Sequence, residues 1–303
     1  MSGRFRHFAA IDWSGAMGER HKGIAVGLCG RDGEPPRLVT PGHRWSRGDV
    51  LDWLLTGLPA ETLVGLDLGI SLPFEDCGAF FPGWDESPPD AKALWALVDK
   101  MCSEDPHLAA ASFVDHLAAS RYFRRHGRRE GAQFHAPAAT DRRGRFRVTE
   151  RAQAERKNCK PYSNFNLVGA AQVGKSSLTG MRVLDRLQGR LPVWPFDFAQ
   201  GERIDPLPER GSVVVEIYTA IAAIDAGRSA SQSKMRSYEE LNKALAELRS
   251  PTVHGCGPLD DHSADALLTA AWLRAQADRP ELWSPAGLTP ALARTEGWTF
   301  GVA

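Results

Sequence analysis

Phe8-Ala9-Ala10-Ile11-Asp12-Trp13-Ser14-Gly15 is the stretch on which the reading of this chain turns: an apolar run closes on one aspartate and then on a turn. Such a run reads as a buried strand, so Asp12 stands where the strand leaves the core. An ionised aspartate does not stay inside without a partner, and at the edge of a sheet it can reach solvent. The arrangement returns at Leu63-Val64-Gly65-Leu66-Asp67-Leu68-Gly69, and Asp260-Asp261-His262-Ser263-Ala264-Asp265-Ala266-Leu267 opens an apolar helix with several acids. Carboxylates from three elements can converge on a hard cation such as Mg²⁺, and two such ions about 3.5–4 Å apart can activate a water against a phosphodiester. Each acid alone also fits a plainer role, Asp67 as a turn residue and Asp260 or Asp261 as a helix cap.

Outward from these stretches, the pattern is that of an α/β protein. Strands are expected at 7–12, 23–29 and, more weakly, 37–45, with Arg31-Asp32-Gly33 as a turn between the last two. Ser46 caps a helix carrying Val50, Leu51, Trp53, Leu54 and Leu55, and a fourth strand follows around 63–66. From about 75 to 166 the periodicity is irregular, with helical pieces at 91–101 and 106–123; we read this as an insertion over one edge of the core. A helix at 178–188, the strongest strand at 213–218, and amphipathic helices at 238–249 and 261–275 complete the series. The division is one domain over 1–303, with its core in 1–74 and 167–303.

Composition limits the function classes. With 303 residues, 43% hydrophobic content, nine Trp and thirteen Phe, the chain can bury a substantial core, and no run approaches the roughly 20 apolar residues of a membrane span. The first residues carry no signal-type apolar region, and the five cysteines form no Cys-x-x-Cys pair. A cytoplasmic protein without membrane partners, disulfide framework or structural zinc is expected. Net charge is zero, yet residues 121–160 hold thirteen Arg or Lys against four acids. With Tyr122, Phe123, Phe134 and Phe146 interleaved, this segment, and Arg124, Arg125, Arg128 and Arg129 in particular, reads as a wall that tracks a phosphate backbone or as ordinary solvated surface.

The order of elements, with Asp closing the first and fourth strands and Asp in a final helix, resembles the ribonuclease H fold. More narrowly, Asp12-Trp13-Ser14-Gly15, Gly65-Leu66-Asp67 followed by Leu72-Pro73-Phe74, Val215-Glu216-Ile217-Tyr218, and 261–266 resemble the family known as domain of unknown function 429, a family of predicted nucleases. The likeness spans most of the chain. It implies a ribonuclease H-like mixed sheet flanked by helices, Asp12 as the central metal ligand, and Asp67 and Asp265 as its companions on Mg²⁺ or Mn²⁺. Asp261, four residues before Asp265, shares its helical face. His262 fits a proton-transfer group or an exposed histidine near a helix start, and Glu216 either faces the site or is buried against an arginine.

Gly169-Ala170-Ala171-Gln172-Val173-Gly174-Lys175-Ser176 matches a phosphate-binding loop, G-x-x-x-x-G-K-[ST]. A true phosphate loop leaves a buried strand, whereas 160–166 is polar and contains a proline. Lys175 and Ser176 then serve better as contacts to a substrate phosphate. The expected function is metal-dependent nuclease or phosphodiesterase, with a metal-activated water as nucleophile, Asp12, Asp67, Glu216, Asp261 and Asp265 in the site, and nucleic acid or another phosphodiester as substrate. The rivals are a nucleotide-dependent ATPase or kinase using 169–176 and a non-catalytic nucleic-acid-binding module.

Overall fold

Strands whose side chains alternate between two buried faces need cover on both sides, and that requirement organises the molecule. The computed structural model describes residues 3–135, 143–157, 159–169, 172–229 and 233–303. In chain order its strands are β1 (His7–Asp12), β2 (Ala25–Gly30), β3 (Arg37–Val39), β4 (Thr62–Asp67), the short pairs β5 (Arg124–Arg125) with β6 (Arg129–Glu130) and β7 (Ala199–Gln200) with β8 (Arg203–Ile204), and β9 (Val213–Glu216). The principal helices are α1 (Arg47–Asp52), α2 (Ala91–Met101), α3 (Ala111–Asp115), α4 (Val148–Lys157), α5 (Val173–Leu187), α6 (Thr219–Asp225), α7 (Tyr238–Glu247) and α8 (Asp261–Gln276).

The central sheet is mixed, in the order β3-β2-β1-β4-β9. β2 runs antiparallel to β1 and β3, whereas β4 is parallel to β1 and to β9. Ala9, Ile11, Val64 and Leu66 face one side, packed with α2, α5 and an aromatic cluster that includes Phe80, Phe81, Trp95, Phe113 and Phe165. Phe8, Ala10 and Leu63 face the other side, where α6 and α8 lie. α8 is buried all round from Ala264 to Leu273, since it has the sheet beneath it and α6 and α7 around it. A helix in that position must be apolar on every face. Gly27 sets how closely it sits: a Cβ there would come within 2.2 Å of the Ala266 carbonyl. Truncating the fully buried Trp272 to Ala removes this packing, at about 3–5 kcal/mol.

Several sequence expectations change in detail. β3 stops at Val39, ahead of Pro41-Gly42, instead of running to 45. The helix expected at 106–123 breaks into a turn at Pro106–Leu108, α3, and a turn at Ala119–Tyr122, because His107 and Leu108 adopt φ of 55° and 53°, outside the helical region. β9 ends at Glu216, and α5 begins at Val173, five residues earlier than expected. The described part of 75–166 contributes aromatic side chains and α2 to the core cluster on one face of the sheet.

Candidate functional site

Asp12 and Asp67 are the last residues of β1 and β4, and they pair in the same register of parallel neighbours. Their side chains therefore leave the same face, on strands about 4.8 Å apart. That face is the one covered by α8, where Asp265 interrupts the apolar sequence one turn into the helix. Asp12 is 7% and Asp265 8% exposed. Burial, together with the charges of Asp12 and Asp265, holds the Asp67 carboxyl well above the usual carboxylate range. Thr219 opposes this by donating to Asp67 from its backbone N at 3.3 Å and its Oγ1 at 3.0 Å. Burial likewise pushes Asp265 up to about 6, with Lys234 pulling it down and Asp12 and Asp261 adding to the rise.

Two basic side chains stand against these acids. His262 Nδ1 is 2.7 Å from Asp12 Oδ2, and this bond to the carboxylate raises the imidazole pKa against part-burial. A carboxylate only accepts, so Nδ1 carries the proton and Nε2 is left for another partner. Lys234 Nζ is 3.3 Å from Asp265 and 3.8 Å from Asp261. Lys234 carried no sequence signal, and His262 gave an ambiguous one; what places both is the packing of α8 and the segment before α7 beside the strand ends.

The turn after β1 is fixed to α5. Trp13 Nε1 donates to Thr179 Oγ1 at 3.0 Å, and a Cβ on Gly15 would come within 2.4 Å of both the Lys175 and Ser176 backbones. Only glycine allows that approach. Ser176 thus shares a cleft with Asp67, Trp13, Tyr162 and Tyr218, while Lys175 turns to His126, 3.3 Å away in the β5–β6 hairpin. Ala170 and Ala171 of the phosphate-loop motif lie outside the described residues, and Leu167 and Val168 before them belong to no strand of the central sheet.

Asp260 takes the cap role the sequence offered, Glu216 is buried against Arg147 while still lining the cleft with Asp67, and Asp261 and the basic segment stand apart from the three buried acids. Glu216 pairs in register with Leu66, so it leaves the face opposite to Asp67. Its carboxylate takes Arg147 at 2.6 and 2.7 Å, Thr299 Oγ1 at 2.6 Å and the Ile70 N–H at 3.0 Å, which leaves it a structural group. Asp261 stands outside the buried cluster, 3.8 Å from both Lys234 and Arg236. Asp260 caps α8 through the Ser263 N–H at 3.0 Å. Among the arginines, Arg125 pairs with Asp115 at 3.2 Å, Arg124 approaches Glu130 at 3.7 Å, and Arg129 donates to the His126 carbonyl. Arg145 and Arg147 are buried, and Arg142 lies outside the described residues.

Among the described residues, no three His, Cys, Asp or Glu side chains stand together as a preassembled metal site. Lys234 sets a positive charge 3.3 Å from the Asp265 carboxylate. No helix among the described residues is long and apolar enough to cross a membrane. No protein-family model, curated protein or solved structure matches the chain.

Proposed function

We propose that this protein is a metal-dependent nuclease or phosphodiesterase with a ribonuclease H-like core, of the kind met in the domain of unknown function 429 family. The supporting observation is the shared register of Asp12 and Asp67 on parallel neighbours, with the buried Asp265 brought over them by α8. Three desolvated carboxylates repel one another, and the half-exposed Lys234 on Asp265 with His262 on Asp12 answers only part of that charge. The adjacency of β1 and β4 and the long final helix across them support the fold assignment.

Hard oxygen donors suit Mg²⁺ or Mn²⁺, and Asp12, Asp67 and Asp265 would hold it once Lys234 yields Asp265. When bound, the metal supplies a water of lowered pKa and stabilises charge on the phosphate. Thr219 orients Asp67 through two hydrogen bonds. His262, anchored to Asp12 through its Nδ1 proton, would in its doubly protonated form carry a second proton at Nε2 to pass to a leaving oxygen. Ser176, at the start of α5, lines the cleft a phosphate group would enter. A reducing cytoplasm is the proposed setting, since all five cysteines are unpaired.

The test is Mn²⁺ titration followed by calorimetry and thermal unfolding, with cleavage of bis(p-nitrophenyl) phosphate as the activity readout. The wild type should bind Mn²⁺ and cleave, and Asp12→Asn, nearly isosteric but uncharged, should lose both. Absence of Mn²⁺ binding by the wild type, or equal binding by the variant, would overturn the proposal. Oligonucleotide binding without any metal-dependent cleavage would replace it with a non-catalytic nucleic-acid-binding module.

A further inference from the structure

Beyond His262, on the β2–β3 side of the acids, a groove runs along the sheet edge, lined by His21, Lys22, His43, Arg44, Trp45 and His262. Lys22 and Arg44 are exposed, and among the described residues neither side chain has an ion-pair partner. Nearby charges are otherwise matched: Arg20 and His43 each lie 3.2 Å from Asp49. Among the described residues the only acid lining the groove is Asp260, already committed to capping α8. His21 is 3% exposed and its Nε2 has no hydrogen-bond partner. On the β4–β9 side lies a second cleft, lined by Asp67, Trp13, Ser176, Tyr218 and Tyr162, the last of these 46% exposed, and also by the paired Arg147, Glu150 and Glu216. Asp12 and Asp67 stand between the two, on the adjacent central strands β1 and β4.

We infer that the Lys22–Arg44 groove seats the phosphate backbone of a single-stranded nucleic acid on one side of the scissile bond, with the aromatic cleft beside Asp67 taking a base on the other. This rests on the phosphodiesterase reading and deepens it by naming an extended substrate. Two open cations along a groove suit backbone phosphates, and the exposed face of Tyr162 suits a base without regard to sequence. A lone mononucleotide would fill one cleft only; a strand crossing the acids uses both.

The test measures binding of a short fluorescein-labelled oligothymidylate by anisotropy across a salt series, in the Asp12→Asn background so that the strand survives. Adding Lys22→Glu and Arg44→Glu should weaken binding at low salt at least about tenfold and lower the slope of log K against log salt by about 1.4, the release expected for two phosphate contacts on a single strand. Tyr162→Ala should weaken it about fivefold or more with the salt slope unchanged. Circular dichroism and thermal unfolding establish that the variants fold. Equal binding by the groove variant, no binding by the parent, or equal affinity for polyglutamate would overturn the inference. Cleavage of bis(p-nitrophenyl) phosphate by the wild type, which needs no groove, separately decides the phosphodiesterase reading.

Discussion

Two regions of this chain put their positive charges to opposite uses. Residues 121–160 carry a local excess of nine charges, yet Arg145 and Arg147 are each 1% exposed in their side chains. Arg145 binds Asp76 at 2.6 Å and the carbonyls of Pro73, Ala79 and Phe80; Arg147 binds Glu150, Glu216 and the Glu296 carbonyl. Lys157 pairs with Asp225 at 3.0 Å, and Arg156 reaches the Ala303 carbonyl. The partners come from distant parts of the chain, so these side chains are stitched into the fold, while Arg121 and Arg128 stay exposed. The Lys22–Arg44 groove belongs to a stretch with no marked excess, but its two cations face solvent without acids opposite them. Positive charge meets an anionic ligand only where the fold leaves it unspent.

The largest effect should come from the buried side of that contrast. Arg147→Met would leave Glu150 and Glu216 without their cation in the core, costing about 3–5 kcal/mol in urea unfolding. A loss below about 1 kcal/mol would mean that the arginines of this segment are not what holds it down.

Glu150 gives the same network a pH dependence. Burial pushes its carboxyl up to about 7, Arg147 opposing and Glu216 and Glu296 adding to the rise. The folded state therefore binds this proton more tightly than the unfolded chain, whose glutamate titrates near 4.3. The stabilisation is full below that value, declines as pH rises to about 7, and is lost above it. Thermal unfolding between these limits should show the decline in the wild type and a flatter profile in Glu150→Gln; identical profiles would remove Glu150 from the network's titration.

A smaller effect is expected at the acids. If Lys234 stands in for a metal on Asp265, Lys234→Met should tighten Mn²⁺ binding by up to about fivefold, the worth of a half-exposed ion pair. Weaker binding would show that the lysine orients Asp265 instead of competing for it. The smallest effect belongs to the exposed hairpin. Replacing Arg124, Arg128 and Arg129 with Ala should change oligothymidylate affinity by less than about twofold and leave its salt slope in place. A clear fall in slope would return the phosphate wall to this segment and erase the contrast with the groove.

Patterns within a few residues decided the scaffold. The apolar runs ending at Asp12 and Asp67, the strong strand from Val213 and the apolar helix from Asp261 each carry their own periodicity, and β1 matches its expected limits to the residue. Those same patterns put Asp12 and Asp67 at strand ends and Asp265 one turn into a helix. What sequence could not supply was the partner of each charged group. His262 is separated from Asp12 by 250 positions, and Arg147 from Glu216 by 69. Which face Glu216 takes follows from its register against Leu66, a long-range pairing that β9's own residues do not reveal. Hydrophobic period is a local property of the chain, whereas the pairing of charges depends on which distant elements packing brings together. The sequence by itself therefore determined the central strands β1, β2, β4 and β9, the long helix from Asp261 and the acids that end or interrupt them; tertiary structure alone decided which arginines are buried, which cations remain open, and what stands beside each acid.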